Sequence, residues 1–257
     1  MQLPRHVFVR APSPAYADCL RREDAVIDLP AAARQHAGYV AGLRRLGVPI
    51  TALPPLEEAP DATFLEDVAV VLDDRALITI PGAASRRGEP ASVQSALSGE
   101  LEVEAMYSGT LDGGDVLRVG DTWFVGRSAR TDADGIASLT RFVPGEVVEV
   151  PVRDGLHLKS GATALDPETV LIDASTLDPA PFQERGISTL PAPEPSGANV
   201  LPLGPEVWVS ASAPSTAALL TARGHRVRVL PMSAFHAGDG ALTCLSLRVP
   251  PAGGWCA

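Results

Sequence analysis

The chain has 257 residues, 46% of them hydrophobic, which is enough to bury a sizeable core without disulfides or metal ions. Its formal charge of -10 argues against a nucleic acid partner or an anionic membrane surface and suits a cationic ligand. The N-terminal residues lack a basic stretch followed by a long apolar run, so we expect a cytoplasmic protein without a membrane segment. We interpret residues 1–257 as a single catalytic domain.

The first predicted elements are a strand, an irregular segment and a helix. Residues 6–10 have the composition of a strand, whereas residues 12–29 show no regular pattern and are interpreted as a lid. Residues 30–46 have helical spacing, with a proline near the start and Gly47 in the usual stop position. A strand over residues 48–53 follows.

From there one pattern recurs: two short apolar strands around a tight turn, then a helix, then another strand. The predicted hairpins cover 68–80, 116–125, 163–172 and 200–209, and the strands that follow the helices cover 101–105, 147–150, 187–190 and 227–230. The last predicted strand, 242–249, has no hairpin partner, so it would complete a unit begun by the N-terminal strand. This predicts an α/β fold, a closed propeller of five ββαβ units, with an open mixed sheet as the alternative.

Closure of the ring would bring the residues that open each unit together on the central axis. A ring core ordinarily holds aliphatic side chains, but these openings carry acids, a histidine, an asparagine and a cysteine. They are Glu66-Asp67, the 112–115 stretch with Asp112 and Asp115, His157, Asn199, and Asp239 leading to Cys244. The sequence therefore predicts a polar pocket on the pseudo-fivefold axis.

Taken singly, each of these residues also has an ordinary structural interpretation. A lone cysteine is most often a small buried apolar residue, and Cys19 and Cys256 are interpreted in that way. Alternation along the predicted last strand places Cys244 on its less apolar face. The same alternation turns one of Glu66 and Asp67 inward. The two glycines between Asp112 and Asp115 would serve either a turn or a close approach to a ligand.

Several familiar catalytic motifs do not occur in the sequence. It has no His-Glu-x-x-His, Gly-x-Gly-x-x-Gly, Walker or Gly-x-Ser-x-Gly motif, and the three cysteines form no Cys-x-x-Cys pair. We therefore expect free thiols, no metal and no cofactor. What is left is a thiol, an imidazole and carboxylates, and carboxylate oxygens match the planar donors of a guanidinium.

Five stretches, taken in order, resemble the dimethylarginine dimethylaminohydrolase family. They are FLEDVA at 64–69, PGA to SRR at 81–87, LDGGDVL at 111–117, DGLHLKS at 154–160, and DG to LTC at 239–244. The resemblance covers nearly the whole chain and implies the pentein fold of the guanidine-modifying superfamily. That fold has five units, in agreement with the repeats.

The resemblance also implies roles for individual residues. It implies Cys244 as nucleophile, His157 as general acid and base, and Asp112 as their acidic partner. Position 112 is Glu in some relatives, so the reach of the shorter Asp is left open. The substrate-binding residues that the resemblance implies are Glu66 and Asp67 for the guanidinium, Arg86 and Arg130 for the α-carboxylate, Asp61 with the backbone near Leu20 for the α-ammonium, and Asp239 as a pocket acid.

The implied reaction is hydrolysis of an N-omega-methylated arginine to citrulline and dimethylamine or methylamine through a covalent thiouronium on Cys244. One alternative is an arginine deiminase or another guanidine hydrolase of the superfamily. A second is a binding-only protein like the ribosome-associated factors of this fold, although those lack the Cys and His. The sequence leaves open which N-substituents are accepted and whether the molecule forms a homodimer.

Overall fold

The computed structural model describes residues 2–251 and contains five three-stranded sheets. Its strands are β1 (His6–Arg10), β2 (Ile50–Leu53), β3 (Ala69–Leu72), β4 (Arg75–Ile78), β5 (Glu102–Ala105), β6 (Val116–Val119), β7 (Thr122–Arg127), β8 (Val147–Pro151), β9 (Ala162–Asp166), β10 (Thr169–Ile172), β11 (Ser188–Pro191), β12 (Leu201–Leu203), β13 (Glu206–Ser210), β14 (Arg226–Leu230) and β15 (Ser246–Val249). Its helices are α1 (Leu29–Arg45), α2 (Pro90–Leu97), α3 (Ala133–Phe142), α4 (Leu158–Gly161), α5 (Ala180–Gln183), α6 (Pro214–Ala222) and α7 (Ser233–His236).

All five sheets share one connectivity. The middle strand pairs antiparallel with the inner strand and parallel with the outer one, as β4 does with β3 and β5. A parallel pair needs a crossover, which α2 supplies between β4 and β5. In the first sheet β1 pairs antiparallel with β15 and parallel with β2, so the two ends of the described chain share one unit. The predicted completion of the first unit by the last strand is confirmed.

The ring is closed around a central axis. Residues of the five inner strands β3, β6, β9, β12 and β15 all line one axial cavity. An open mixed sheet would not bring these strands together, so the predicted five-unit propeller is confirmed. The segments that lead into the inner strands consequently converge at one end of this cavity.

Local signals place the first helix as the sequence predicts. The side chain of Asp28 accepts a hydrogen bond of 2.8 Å from the backbone N–H of Ala31, which caps the start of α1. Gly47 follows the end of α1 with φ of 76°, a conformation that favours glycine. A Cβ on Gly42 would lie 2.6 Å from the Trp208 ring, so this glycine lets α1 pack against β13.

Apolar side chains fill the space between the sheets and the helices that cover them. The fully buried rings include Tyr16, Tyr39, Phe124, Phe182 and Trp208. Within residues 2–251, no helix has the length and apolar character needed to cross a membrane.

The prediction of one strand over 242–249 is wrong in its first half. Residues Thr243–Leu245 form a 3-10 turn, and β15 begins only at Ser246, which pairs with Val9. The backbone before Ser246 has no strand partner, and side chains hold it instead. The backbone N–H of Thr243 donates to Asn199, and the Thr243 hydroxyl donates to Glu66. Strand alternation therefore does not place Cys244.

The same correction applies to the acids before β3. Glu66 and Asp67 lie in the 3-10 turn Leu65–Val68 instead of on a strand. Comparable turns, Gly113–Asp115 and the single-turn α4, precede β6 and β9. In each of these three units the chain makes a short helical turn next to the axis before it enters the inner strand.

A buried histidine in α1 gives the fold a pH dependence. Burial lowers the pKa of His36 to about 4, and its Nε2 has no hydrogen-bond partner. The unfolded chain therefore takes up a proton between about pH 6.5 and 4 that the folded chain does not. The free energy of unfolding should fall by about 2 to 3 kcal/mol across this window. Denaturant titrations of the protein and of His36→Leu should show this component lost in the variant, and parallel pH profiles would contradict the prediction.

Candidate active site

A small pocket of about 20 Å³ lies where the unit openings meet. It brings together residues that are far apart in the sequence. Of the residues to which the resemblance assigns a role, all but Glu66 line this pocket, whereas the unit-opening residues Asp115 and Asn199 do not. The predicted residues that do so are Leu20, Asp61, Asp67, Arg86, Asp112, Arg130, His157, Asp239 and Cys244.

His157 is held between two buried carboxylates. Its Nε2 lies 2.9 Å from Oδ2 of Asp112, and its Nδ1 lies 3.8 Å from Oδ1 of Asp67. Burial disfavours the imidazolium, but the charge of Asp67, the hydrogen bond to Asp112 and the charge of Asp115 outweigh it. Together they raise the pKa of His157 to about 9. At neutral pH this histidine is a cation with a proton to give.

The two glycines at 113 and 114 make this approach sterically feasible. A Cβ on Gly114 would lie 2.6 Å from Oδ1 of Asp67 and 2.7 Å from Nδ1 of His157. A Cβ on Gly113 would lie 2.1 Å from the backbone oxygen of Glu66. The absence of side chains at Gly113 and Gly114 therefore lets three units pack closely against each other on the axis.

Asp115 fixes the backbone beneath the histidine. Its Oδ1 accepts a 2.8 Å hydrogen bond from the backbone N–H of Leu158, and its Oδ2 accepts from the hydroxyls of Ser128 and Thr131. Burial raises the pKa of Asp115. One buried carboxylate thus links the residue after His157 to the loop on either side of Arg130.

Cys244 lines the pocket at the end of the last unit. Burial first, and then the negative charges of Glu66 and Asp67, raise the pKa of its thiol to about 12. This pKa favours the neutral thiol at neutral pH, in a pocket that His157 also lines. Cys19 is a buried free thiol whose pKa is also raised by burial, and Cys256 lies outside the described residues.

Arg86 is buried against carboxylates instead of projecting freely into the pocket. Its Nη1 lies 2.6 Å from Oδ2 of Asp67, and Nε and Nη2 contact the carboxylate of Glu89. Its pKa is raised well above the usual value because these two carboxylates outweigh the effect of burial. Arg130, by contrast, has a guanidinium without a hydrogen-bond or ion-pair partner among residues 2–251.

Glu66 faces away from the pocket. Its Oε1 lies 2.7 Å from Nζ of Lys159 and 2.8 Å from Nη2 of Arg248, and its Oε2 accepts a hydrogen bond from Thr243. Burial opposes ionisation, yet the two cations lower the pKa of Glu66. The adjacent side chains of Glu66 and Asp67 thus lie on opposite sides of their turn, and only Asp67 lines the pocket.

The N-terminal irregular segment covers the pocket through two acids. The backbone N–H of Leu20 lies 3.1 Å from Oδ1 of Asp61, and that of Arg22 lies 2.6 Å from Oδ2 of Asp239. Asp239 has φ of 55°, in the left-handed region. Both acids therefore contact the predicted lid as well as the pocket, and burial raises the pKa of Asp61.

The two carboxylates that flank His157 form with it the one cluster with metal-ligand geometry among the described residues. Ligand atoms of Asp67, Asp112 and His157 all lie within 4.8 Å of one another. A metal ion would have to displace the proton that these acids stabilise on His157.

The chain was compared with known proteins by family model, by sequence and by structure. No family model matches the chain. It is 41% identical over 253 residues to N(G),N(G)-dimethylarginine dimethylaminohydrolase of Streptomyces coelicolor, a match that covers 95% of this chain and 97% of that protein. The chain belongs to the dimethylarginine dimethylaminohydrolase family.

Further relatives agree with this assignment. The dimethylarginine dimethylaminohydrolase of Pseudomonas aeruginosa is 34% identical, over 95% of this chain and 99% of that protein. A crystal structure of the P. aeruginosa protein, a Cys-to-Ser variant complexed with citrulline, superposes with a TM-score of 0.85 at 31% identity. It covers 96% of this chain and 99% of that one. A cyanobacterial arginine dihydrolase domain with a TM-score of 0.83 and 17% identity shares the fold.

Sequence reasoning did not identify several residues around this dimethylarginine dimethylaminohydrolase site. They are Glu89, which pairs with Arg86, and Lys159, Thr243 and Arg248, which surround Glu66. Lys159 had a visible signal, because it is the single lysine in the sequence and follows His157 by two residues. Arg248 lies on a strand among apolar residues and carries no comparable signal.

The glycine contact gives a test of the histidine's environment. Gly114→Ala should force the imidazole away from Asp67, so the pKa of His157 should fall from about 9 towards 6.5. The pKa would be measured by NMR titration of the histidine ring carbons. Gly38→Ala is the matched control, because a Cβ at Gly38 meets nothing within 4 Å. An unchanged pKa of His157 in Gly114→Ala would reject the steric role of this glycine.

Proposed function

We propose that this chain is a single-domain hydrolase that converts N-omega-methylated arginine to citrulline and dimethylamine or methylamine. Cys244 acts as nucleophile and His157 as general acid and base. The observation that carries the proposal is the position of the His157 ring, which lies between the carboxylates of Asp67 and Asp112 in the pocket that Cys244 lines.

Two comparisons support this reaction. Relatives at 41% and 34% identity over nearly their full lengths carry the name of this activity. A structural neighbour at 31% identity is complexed with citrulline, and another, a His-to-Gly variant at 32% identity, forms an adduct with S-methyl-L-thiocitrulline. Citrulline is the product expected from hydrolysis at the guanidinium carbon.

In this proposal the pocket binds the two charged ends of an amino acid. Asp67 and Asp112 accept hydrogen bonds from the substrate guanidinium, because they are the carboxylates next to His157. Arg130 binds the α-carboxylate, since its guanidinium has no partner among residues 2–251. Asp61 and the backbone at Leu20 receive the α-ammonium at the lid.

Three predicted binding residues then act indirectly. Arg86 does not bind the substrate carboxylate in this proposal. It orients Asp67 through their 2.6 Å ion pair. Glu66 supports the pocket from the opposite side through its hydrogen bond with Thr243. Asp239 holds the lid by accepting the backbone N–H of Arg22.

The substrate itself completes the charge balance for catalysis. Before the substrate binds, burial and the negative charges of Glu66 and Asp67 keep Cys244 as a thiol, with a pKa of about 12. A bound guanidinium offsets their charge, so the thiol can release its proton to solvent when the substrate arrives. The thiolate then attacks the guanidinium carbon to form a tetrahedral adduct.

Collapse of the adduct needs an acid, and the next step needs a base. As the carbon–nitrogen bond breaks, His157 gives its proton to the departing dimethylamine and leaves a thiouronium on Cys244. The neutral imidazole then takes a proton from a water molecule that attacks the same carbon. Departure of the thiolate yields citrulline. Asp112 holds the ring through both steps.

A substrate panel tests the proposal directly. We expect citrulline from asymmetric dimethylarginine and monomethylarginine, measured colorimetrically, with a lower kcat/KM for arginine. Greater activity on arginine than on either methylated substrate would assign the chain to the deiminase alternative. Absence of citrulline from all three would reject the proposed reaction.

The nucleophile is tested by matched cysteine variants. Cys244→Ser should lower kcat by roughly 1000-fold or more, because a serine hydroxyl is hardly ionised and a carboxylate-rich site does not activate it. Cys19→Ser is the control and should retain most of the rate. Circular dichroism and thermal unfolding would establish that both variants fold. A near-native rate in folded Cys244→Ser would reject Cys244 as nucleophile.

Recognition of the substrate carboxylate is tested by removing either the Arg130 guanidinium or the carboxylate itself. Arg130→Ala should lower kcat/KM for dimethylarginine by roughly 100-fold, since a charge-assisted pair with the substrate carboxylate worth about 2 to 3 kcal/mol is lost. Agmatine lacks the carboxylate, so its small activity should hardly change. Equal losses on both substrates would show instead that Arg130 supports the fold.

A further inference from the structure

A second and larger cavity lies on the axis, behind the residues of the active-site pocket. Its volume is about 230 Å³, against about 20 Å³ for that pocket, and no residue lines both. The turns that open the inner strands separate the two. At each of two turns, adjacent residues divide between the cavities: Glu66 and Thr243 line the axial cavity, whereas Asp67 and Cys244 line the pocket.

The floor of the axial cavity carries a net positive charge. Lys159 and Arg248 both contact the same oxygen of Glu66, at 2.7 and 2.8 Å. The other Glu66 oxygen accepts from Thr243. Two cations thus share one carboxylate. No other charged side chain among residues 2–251 forms an ion pair with Lys159 or Arg248.

Lys159 has donors to spare on this floor. Nη1 of Arg248 donates to the backbone oxygen of Thr243 and to both oxygens of Ser246, so that side chain is well satisfied. The ammonium of Lys159 has three N–H donors, and Glu66 is its one polar partner within the described residues. Lys159 is also the single lysine of the whole sequence, in which every other cationic side chain of this type is an arginine.

The walls of the cavity are largely apolar, and its far end carries Asp166, which accepts a hydrogen bond from the backbone N–H of Glu168. Side chains of the inner strands surround it, among them Val70, Leu72, Val116 and Leu201. Arg118 also lines the cavity, but it pairs with Asp121 at 3.5 Å and donates to the backbone oxygen of Gly120. The unbalanced positive charge is therefore concentrated at the floor, beneath apolar walls.

We propose that the axial cavity is a binding site for a small organic carboxylate with an apolar body. The carboxylate accepts hydrogen bonds from Lys159 and balances the floor, while the apolar body lies between the inner strands. A cation of the same shape would add charge of the wrong sign, and an uncharged molecule would leave the ammonium donors unused. The site is distinct from the active-site pocket and its existence does not depend on the proposed reaction.

The single lysine provides a direct probe of this site. Protein grown with lysine labelled with carbon-13 at Cε has one labelled side chain, so its NMR spectrum reports Lys159 alone. Titration with hexanoate should shift this resonance saturably, with a dissociation constant on the order of 1 mM. Hexylammonium, which matches the apolar body but has the opposite charge, should cause no saturable shift.

Matched variants separate this site from others that could bind a carboxylate. Ala164→Phe, which fills the cavity from β9, should weaken hexanoate binding at least tenfold in a protein whose thermal unfolding shows that it is folded. Arg118→Gln removes a cation that is already balanced and should change the dissociation constant less than twofold. Arg130→Ala lies on the other side of the turns and should also leave it unchanged.

Three outcomes would overturn the proposal. They are an absence of saturable shift up to tens of millimolar hexanoate, equal shifts with hexylammonium, and loss of binding in Arg130→Ala together with full binding in folded Ala164→Phe. The last result would place the carboxylate in the active-site pocket. Because the readout is the Lys159 resonance, a failure to release citrulline in the substrate panel would not affect this test.

Discussion

Charge pairing at the centre of the ring is the constraint on which the rest of the site depends. Five units meet at the axis, and the turns there carry carboxylates that are almost wholly buried. A buried carboxylate must be paired or it destabilises the fold. Asp67 is paired with Arg86 and His157, and Glu66 with Lys159 and Arg248. Glu66 and Asp67 are neighbours in the chain, so one short turn supplies a carboxylate both to the active-site pocket and to the axial cavity.

These buried carboxylates also affect the protonation of His157 and Cys244. Asp67 raises the pKa of both residues: together with Asp112 and Asp115 it favours the imidazolium of His157, and with burial and Glu66 it favours the thiol of Cys244. A pKa of about 12 for Cys244 and of about 9 for His157 favours a thiol and an imidazolium at neutral pH. In the proposed mechanism a bound guanidinium changes this balance, because it brings a positive charge together with the carbon to be attacked. Activation of Cys244 would thereby be coupled to binding of the substrate.

The repeated fold could be predicted because it is written in local patterns. Short apolar strands, turn residues and a roughly constant spacing are properties of neighbouring residues, and they placed the hairpins to within a few residues. The pairing of β1 with β15 followed from counting units. The error at Thr243–Leu245 has the same origin, since an apolar run of this kind suits a strand until one knows that no neighbouring strand pairs with it.

Contacts between units could not be derived in that way. Asp67 is paired with Arg86, which resemblance alone assigned to the substrate carboxylate, and Glu89 became part of the site only through that ion pair. Likewise, the direction of Glu66 depends on Lys159 and Arg248, from two other units. Which of several acids faces the pocket is decided by which cations lie within reach, and that is a property of the closed ring.

The short side chain of Asp112 links residues of two other units. It reaches His157 at 2.9 Å, and its other oxygen accepts a 2.9 Å hydrogen bond from the backbone N–H of Gly82. Gly82 is itself packed tightly on the backbone of Arg130, because a Cβ there would lie 2.4 Å from the Arg130 oxygen. A longer acid at 112 would have to move His157 or Gly82. His157 and the backbone of Arg130 are therefore linked through one aspartate and one glycine, so backbone packing at Gly82 helps to fix the position of both residues in the pocket.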